Sequence, residues 1–314
     1  MILIEKWDIM NNQIDLSRIT ACGECCDNCK HREEISCKGC IETDGCCAMW
    51  MESGRCKIHA CARKYNVKFC GLCPEFPCAD LEKKIHWREN VVDEFATLAM
   101  RYYNQQFDNH DSRIPYYELL LEQDLDTITE YRLPDGYHFE FYKDGDRDNW
   151  IEIEKSAKEF ENSEQGLSAW NRYYKGKESE LENRMVFIVN DFGEKVATAT
   201  AFYDINGKDK SNSAWLHWVA VKRAYQGKRL SKPLISYVLN IMKSMGYTHA
   251  KIPTQTTTWL ACKIYLDFGF KPISQNAVNS YNGWCIIKTL TDHNSLDNFN
   301  AVEGLKLLNQ KSLK

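Results

Sequence analysis

Long apolar runs are missing from this sequence of 314 residues. No stretch approaches the roughly 20 consecutive apolar residues that a membrane-spanning helix requires. At the start of the sequence, Met1 to Ile4 are followed directly by Glu5 and Lys6, which leaves no apolar core for a signal peptide. We therefore expect a cytoplasmic protein without a membrane partner.

A strong charge of either sign is missing as well. The 40 Lys and Arg residues and the 44 Asp and Glu residues give a formal net charge of -4 and a pI of about 6.1. This balance provides no global attraction to nucleic acid, and we expect no nucleic-acid partner. Repeats and low-complexity segments are also absent, so the length predicts about two domains with a substantial core.

Cysteine is almost absent outside one short segment. Of the 15 cysteines, only Cys262 and Cys285 lie outside residues 22–78, which leaves 13 in that segment. A secreted protein would use such a cluster for disulfides, whereas clustered thiols in a reducing compartment bind metal. Pairs two residues apart, such as Cys37 and Cys40, have the spacing at which two thiolates hold one ion.

These spacings predict a metal-binding segment, with zinc favoured and an iron–sulfur cluster as the alternative. The predicted ligands are ten cysteines, namely Cys22, Cys26, Cys29, Cys37, Cys40, Cys56, Cys61, Cys70, Cys73 and Cys78. Three further cysteines, Cys25, Cys46 and Cys47, leave the assignment of ligands open. The segment is similar to a small cysteine-rich prokaryotic family of uncharacterised function, through Cys37-Lys38-Gly39-Cys40 and Cys73-Pro74-Glu75-Phe76-Pro77-Cys78. That resemblance implies no activity.

The most informative stretch begins at Trp215. Residues 215–221 are apolar or aromatic apart from His217, which predicts a strand buried on both faces. A polar loop follows, and apolar residues then recur at helical spacing from Leu230 to Met242. This order presents unsatisfied backbone N–H groups at the positive end of a helix, where phosphate binds well.

This stretch resembles the GNAT superfamily of acetyl-CoA-dependent acyltransferases. The coenzyme motif of that family is similar to Val219-Ala220-Val221 followed by the loop from Gln226 to Ser231. Within this loop, Arg229 and Ser231 stand where the family usually has glycine. A second family motif, Asn-x-x-Ala-x-x-x-Tyr-x-x-x-Gly-Phe, is matched by the segment from Thr258 to Phe270, in which Thr258 replaces the asparagine.

The resemblance implies that acetyl-CoA is the cosubstrate and that Tyr265 is the general acid for its thiolate. Periodicity alone favours a core tyrosine with a satisfied hydroxyl at this position. By alternation along the strand, His217 shares a face with Val219 and Val221, and we consider it either a base for the amine or a buried core histidine. The implied coenzyme-binding residues are Val219, Ala220, Val221, Gln226, Gly227, Lys228, Arg229, Leu230, Ser231, Lys232, Thr258 and Ala261.

The predicted fold is mixed α/β, with a GNAT-like central β-sheet flanked by helices. We expect a cysteine-rich domain over residues 1–80, a helical connector and linker over 81–115, the transferase domain over 116–290 and a polar tail with a weak helical pattern over 291–314. Within the transferase domain, the pattern predicts a helix over 116–131, strands over 137–142, 184–190 and 195–203, and a closing strand over 281–289.

The two helices predicted over residues 150–161 and 166–174 flank the acceptor channel in the family. Acidic residues on the first of them, including Glu152, Glu154 and Glu159, are interpreted as a solvated surface rather than as an amine site. The sequence thus predicts transfer of acetyl from acetyl-CoA to a small-molecule or protein amine by direct attack in a ternary complex. The alternative is a metal- or redox-sensing scaffold protein whose GNAT-like domain binds acyl-CoA without turnover.

Overall fold

A computed structural model describes residues 15–29, 31–46, 54–85, 88–209, 211–273 and 277–311. Sequence features before residue 15, the additional Cys47 and the end of the predicted tail after residue 311 lie outside the described residues.

Seven strands form a single mixed sheet in the described part of the chain. The sheet order is β2-β3-β4-β5-β6-β1-β7, with β5 and β6 parallel and the other neighbours antiparallel. The strands are β1 (Glu118–Asp124), β2 (Tyr137–Phe141), β3 (Met185–Asn190), β4 (Lys195–Phe202), β5 (Ser213–Val221), β6 (His249–Gln255) and β7 (Lys271–Ile273). This sheet, flanked by helices, confirms the predicted fold class.

Helices cover both faces of the sheet and its edge. They are α1 (His31–Glu34), α2 (Lys57–Lys64), α3 (Leu81–Lys84), α4 (Val91–Gln106), α5 (Arg147–Ser156), α6 (Ser163–Tyr173), α7 (Glu178–Leu181), α8 (Ser231–Ser244), α9 (Trp259–Asp267), α10 (Ala277–Thr291) and α11 (Ala301–Lys311). None of these described helices is both long and apolar enough to cross a membrane.

The central strands are apolar on both faces because each face packs against helices. Along β3, Phe187 joins the aromatic cluster beneath α5 and α6, whereas Ile188 joins the core that contains α8. All six residues of β3 are buried, as the alternation of side chains between two covered faces requires.

Two predicted elements are wrong. The segment predicted as a helix over 116–131 contains β1, which pairs antiparallel with β6 over seven residues from Glu118 to Asp124. The segment predicted as the closing strand over 281–289 lies within α10, where Trp284, Ile287 and other apolar residues are buried at helical spacing. The strand that pairs with β6 on the side away from β5 is therefore β1, the first strand in the chain, and not a strand from the C-terminal part of the domain.

The predicted polar tail also differs from expectation. It forms α11, and its Leu305 and Leu308 belong to the same hydrophobic cluster as Phe69 and Phe76 of the cysteine-rich segment. Asn309 is buried in this cluster and donates hydrogen bonds to the carbonyls of Gly71 and Cys73 at 3.0 and 2.9 Å. The hydroxyl of Tyr103 in α4 donates to the Asn309 carbonyl oxygen at 2.5 Å. The C-terminal helix thus closes the core of the N-terminal part.

We predict that Gly304→Ala destabilises the protein. A Cβ at Gly304 would lie 2.1 Å from the backbone carbonyl oxygen of Cys285 in α10, and a backbone atom of a packed helix cannot move away without separating α10 from α11. We expect the free energy of unfolding to fall by about 2 kcal/mol, measured by urea denaturation. Lys306→Ala, at an exposed position of the same helix, is the control and should change it by less than about 0.5 kcal/mol. Equal stability of the two variants would contradict the packing of α11.

Candidate active site

A cleft opens where β5 and β6 separate. The two strands pair only through Ser213, Ala214 and Trp215 of β5, although β5 continues to Val221 and β6 to Gln255. Beyond Trp215, β5 keeps its pairing with β4 alone. In open α/β sheets, ligands bind at the carboxyl ends of parallel strands, and this separation provides such a place.

A β-bulge in β5 lies beside the cleft. Its register against β4 shifts so that Trp218 and Val219 occupy the space of one residue, and Trp218 has a φ of +52°. A non-glycine residue in this region costs roughly 1–2 kcal/mol. Edge-to-face contacts of the Trp218 ring with Trp150 and Tyr173, both at 5.3 Å, hold the bulge in place.

The bulge overturns one sequence prediction. His217 does not share a face with Val219 and Val221, because the inserted residue shifts the alternation of side chains by one position. The His217 ring contacts Tyr173 and Phe202 under α5 and α6, whereas Val219 and Val221 belong to the core on the α8 side.

The environment of His217 also makes it a weak base. Burial lowers its pKa to about 4, and its Nδ1 has no hydrogen-bond partner among the described residues. A base with so low a pKa accepts protons poorly at neutral pH. The geometry therefore favours the core interpretation of His217 over the base interpretation.

The loop from Gln226 to Ser231 lies between β5 and α8. Gly227 has a φ of +77° and Arg229 a φ of +62°, so Arg229 adopts the left-handed conformation that glycine favours. The Gln226 side chain donates to the Val221 carbonyl at 3.1 Å. The side chains of Lys228 and Arg229 are exposed.

The N-terminus of α8 has features that suit an anion. Leu230 precedes the helix and provides no side-chain cap, and the first turn contains no acidic residue. Lys232 in this turn pairs with Asp267 at 3.3 Å, and Lys228 lies over the Tyr225 ring at 4.5 Å. The helix N–H groups and these cations form a positive surface with no carboxylate of α8 opposing it.

Tyr265 lies in α9 and is buried. Burial raises its pKa above the ordinary value, and the negative charges of Cys262, Glu159 and Glu154 raise it further. At neutral pH the Tyr265 hydroxyl is therefore protonated. At the start of α9, the Thr258 hydroxyl donates to the Gln255 carbonyl at 3.0 Å, while Ala261 is partly exposed.

Sequence reasoning missed a buried carboxyl near Tyr265. The interpretation of the α5 acids as a solvated surface is wrong for Glu154, which is 0% exposed. Neither of its carboxyl oxygens has a hydrogen-bond partner in the described part of the chain. Glu152, by contrast, is exposed and pairs with Lys155. The sequence contained one signal for this burial, because Glu154 follows Trp150 by one helical turn and therefore lies on the apolar face of the helix.

The segment predicted as a linker forms hydrogen bonds with the coenzyme loop and with the start of α9. Asn109 donates to the Gln226 side chain at 2.8 Å, and the Asp108 carbonyl accepts from the Trp259 indole at 2.9 Å. The next residue, His110, has its Nδ1 4.0 Å from the Glu159 carboxylate. We call residues 107–114 the strap. It connects the coenzyme loop to the start of α9.

The predicted metal ligands do not form a metal site in the described residues. No group of three or more His, Cys, Asp or Glu side chains lies close enough there to hold an ion, and all 14 described cysteines are free of disulfides. Burial, and then the charges of neighbouring thiols including Cys61, Cys78 and Cys73, raise the pKa of Cys70 to about 12. Thiols are thus gathered around Cys70 without the geometry of a bound ion.

One protein-family model is similar to part of this chain. The model described as the acetyltransferase (GNAT) family matches residues 147–270, which confirms the predicted resemblance over that range and supports acetyl transfer in general. No curated protein matches the chain.

Several solved structures are similar to this chain. A GCN5-related N-acetyltransferase from Sphaerobacter thermophilus shares 17% identity at a TM-score of 0.41, covering 64% of this chain and 67% of that one. A GNAT-family acetyltransferase from Colwellia psychrerythraea shares 12% identity at a TM-score of 0.40, covering 50% and 54%. One from Staphylococcus aureus Mu50 shares 16% identity at a TM-score of 0.34, covering 44% and 87%.

We predict that His217 destabilises the protein in mild acid. Because its folded pKa of about 4 lies below the ordinary 6.5, the unfolded chain takes up a proton as the pH falls below 6.5 while the folded protein does not, and stability is lost down to about pH 4. Between pH 7 and pH 5, wild type should lose about 2 kcal/mol more than His217→Gln, measured by urea denaturation.

His138→Gln is the control for this measurement, because His138 lies on β2 with a largely exposed side chain. This variant should lose as much stability as wild type between the two pH values. If His217→Gln lost as much as well, His217 would not be buried in the neutral form.

Proposed function

We propose that this protein transfers the acetyl group of acetyl-CoA to an amine. The observation that carries the proposal is the cleft between β5 and β6, because it lies between an uncapped helix N-terminus and a buried, protonated tyrosine within the range that matches the acetyltransferase family. An anionic coenzyme and a leaving thiolate need these two features respectively.

The pyrophosphate is assigned to the loop from Gln226 to Ser231 and the first turn of α8. Backbone N–H groups at the helix start would donate to phosphate oxygens, and Lys228, Arg229 and Lys232 would add charge attraction. The left-handed backbone at Gly227 and Arg229 supports this assignment, because the loop keeps a glycine-type course where Arg229 replaces glycine.

The thioester is assigned to the cleft beside the bulge at Trp218 and Val219. Backbone N–H groups near Val219 and Val221 would polarise the acetyl carbonyl. Thr258 and Ala261 line the α9 side of this region in the proposal. The support is the bulge itself. It interrupts the regular pairing of β5 with β4 in the part of β5 that no longer pairs with β6.

The proposed reaction is direct attack by the amine. A neutral amine forms the C–N bond with the carbonyl carbon, the C–S bond breaks, and the departing thiolate takes the proton of the Tyr265 hydroxyl. The attacking nitrogen loses one proton, which returns Tyr265 to its neutral form. The ammonium form of the acceptor has to release one further proton before attack, so the whole reaction yields one proton for solvent.

We expect acetyl-CoA to bind with micromolar affinity in calorimetric titration, and desulfo-CoA, which keeps the phosphates, to bind comparably. Tyr265→Phe should retain this affinity but lower kcat by about 100-fold, measured as thiol release with a panel of primary amines. Tyr247→Phe, a change of the same kind at a partly exposed position, is the matched control.

The outcomes separate the alternatives. Absence of acetyl-CoA binding would overturn the proposal as a whole, whereas an unchanged rate in Tyr265→Phe would remove only this residue from the mechanism. Binding without thiol release from any amine would favour the scaffold function over the enzyme.

We further propose that the cysteine-rich segment binds zinc, with an iron–sulfur cluster as the alternative. The support is the spacing of the cysteines, the absence of disulfides among the 14 that are described, and the gathering of thiols around Cys70. Zinc would bind these thiols as thiolates, and because sites are seldom preformed without the ion, binding would draw the ligands together.

Protein purified without chelator should contain at least about one equivalent of zinc in elemental analysis. Cys70→Ser should lower this content, whereas Cys262→Ser, at a buried thiol far along the chain from the cluster, should not. Metal-free protein with no change of melting temperature on zinc addition would overturn zinc binding, and a visible absorption band with bound iron would indicate the cluster.

A further inference from the structure

The carboxyl group of Glu154 forms no hydrogen bond with the described residues that would give it a structural role. Its side chain is completely buried, and both oxygens are without hydrogen-bond partners among the described residues. Burying an unpaired polar group costs several kcal/mol on hydrocarbon transfer scales. A group retained at that cost in a candidate active site is suited to a ligand that pairs with it.

The position of Glu154 on α5 directs it toward the bulge of β5. Trp150, one helical turn earlier, packs edge to face on Trp218 at 5.3 Å, and residues four apart share a helix face. At the end of the same helix, Ser156 accepts a hydrogen bond from the backbone N–H of Arg223 at 3.0 Å, next to the coenzyme loop. Glu154 therefore lies between the bulge and the loop end of the cleft.

Two further titratable groups connect this carboxyl to the surface. Glu159 follows α5 with a side chain 27% exposed, and the strap brings His110 Nδ1 to 4.0 Å from it. His110 Nδ1 is itself buried without a hydrogen-bond partner among the described residues. Glu154, Glu159 and His110 thus form a group of neighbouring titratable side chains, of which Glu159 and His110 are partly exposed.

Among the described residues, the groups that face Glu154 from the neighbouring elements include no cation. Tyr265 of α9 lies close enough for Glu154 and Glu159 to raise its pKa, together with Cys262, and Tyr174 after α6 is affected in the same way by Glu154. Burial, followed by the charge of Glu159, raises the pKa of Glu154 well above the ordinary value. Since every one of these neighbours is neutral or acidic, the described residues supply no positive charge to Glu154.

We propose that Glu154 binds the ammonium group of a primary alkylamine acceptor and takes its proton, and that Glu159 and His110 pass this proton to solvent. The inference rests on the proposed acetyl transfer and adds the acceptor class and the base. Deprotonated Glu154 first pairs with R–NH3+ and accepts one proton. The resulting R–NH2 attacks the acetyl carbon, and Glu154 then returns the proton outward through Glu159 and His110. The partly exposed ring of Trp218 offers an apolar surface to an aliphatic stem.

The test compares Glu154→Gln with Glu152→Gln, an equal change at an exposed position of the same helix. Melting temperature is measured at pH 8 with saturating desulfo-CoA, with and without n-butylammonium chloride, and choline chloride at the same concentration serves as the salt control. Butylammonium should raise the melting temperature of wild type and Glu152→Gln by at least about 2 °C, and leave that of Glu154→Gln unchanged. Equal responses of all three proteins, or none in wild type, overturn the proposal.

A second measurement separates a binding role from a merely structural one. Because the folded pKa of Glu154 is raised, the unfolded chain releases its proton first, and wild type loses stability as the pH rises above about 4.3. Glu154→Gln should therefore melt at a higher temperature than wild type at pH 8, with a difference that vanishes near pH 4. A lower melting temperature at pH 8 overturns the proposal, because Glu154 would then be paired within the protein.

Turnover gives the third readout. With n-butylamine and acetyl-CoA, Glu154→Gln should lower kcat/KM for the amine by about 100-fold or more while the Kd of acetyl-CoA stays unchanged. The rise of rate with pH in wild type should be lost in the variant. Retention of kcat/KM within about threefold overturns the role of Glu154, whereas loss of acetyl-CoA binding by wild type would instead overturn the proposed acetyl transfer.

Discussion

The unequal pairing of β5 with its two neighbours is the constraint on which the candidate active site depends. With β4 the strand pairs along most of its length, interrupted by the bulge, and with β6 it pairs through only three residues. Both strands nevertheless continue, so their ends must diverge. The polar loop, the start of α8 and the start of α9 all follow from these two diverging ends, and the helices α5 and α6 hold the bulge from the other face through Trp150 and Tyr173.

Local sequence patterns predicted the strands and helices whose characteristic spacing of apolar residues lies within the element itself. The hairpin of β3 and β4 and the helix α8 are of this kind. By contrast, β1 depends on pairing with β6, more than 120 residues later. Three consecutive leucines, Leu119 to Leu121, fit either a helix or a doubly covered strand, and only the distant partner decides between them.

The site residues divide in a similar way. Tyr265 and the coenzyme loop were predicted as site residues from motif spacing, which is a local property. The burial of Glu154 was not predicted from the sequence, because it depends on how α5 packs in the folded protein. His217 was placed on the wrong face because a one-residue bulge reverses the alternation after it. No signal in the sequence announces a bulge at Trp218, since tryptophan seldom adopts a positive φ.

The hydrogen bonds of Asn309 have a consequence for biosynthesis. This residue follows Gly71 by 238 residues and Cys73 by 236, and its side chain donates hydrogen bonds to the carbonyls of both. Contacts between such distant segments form late in folding because the intervening loop must close first. The core of the N-terminal part is therefore complete only after α11 has left the ribosome, because Leu305 and Leu308 belong to the same cluster as Phe69 and Phe76.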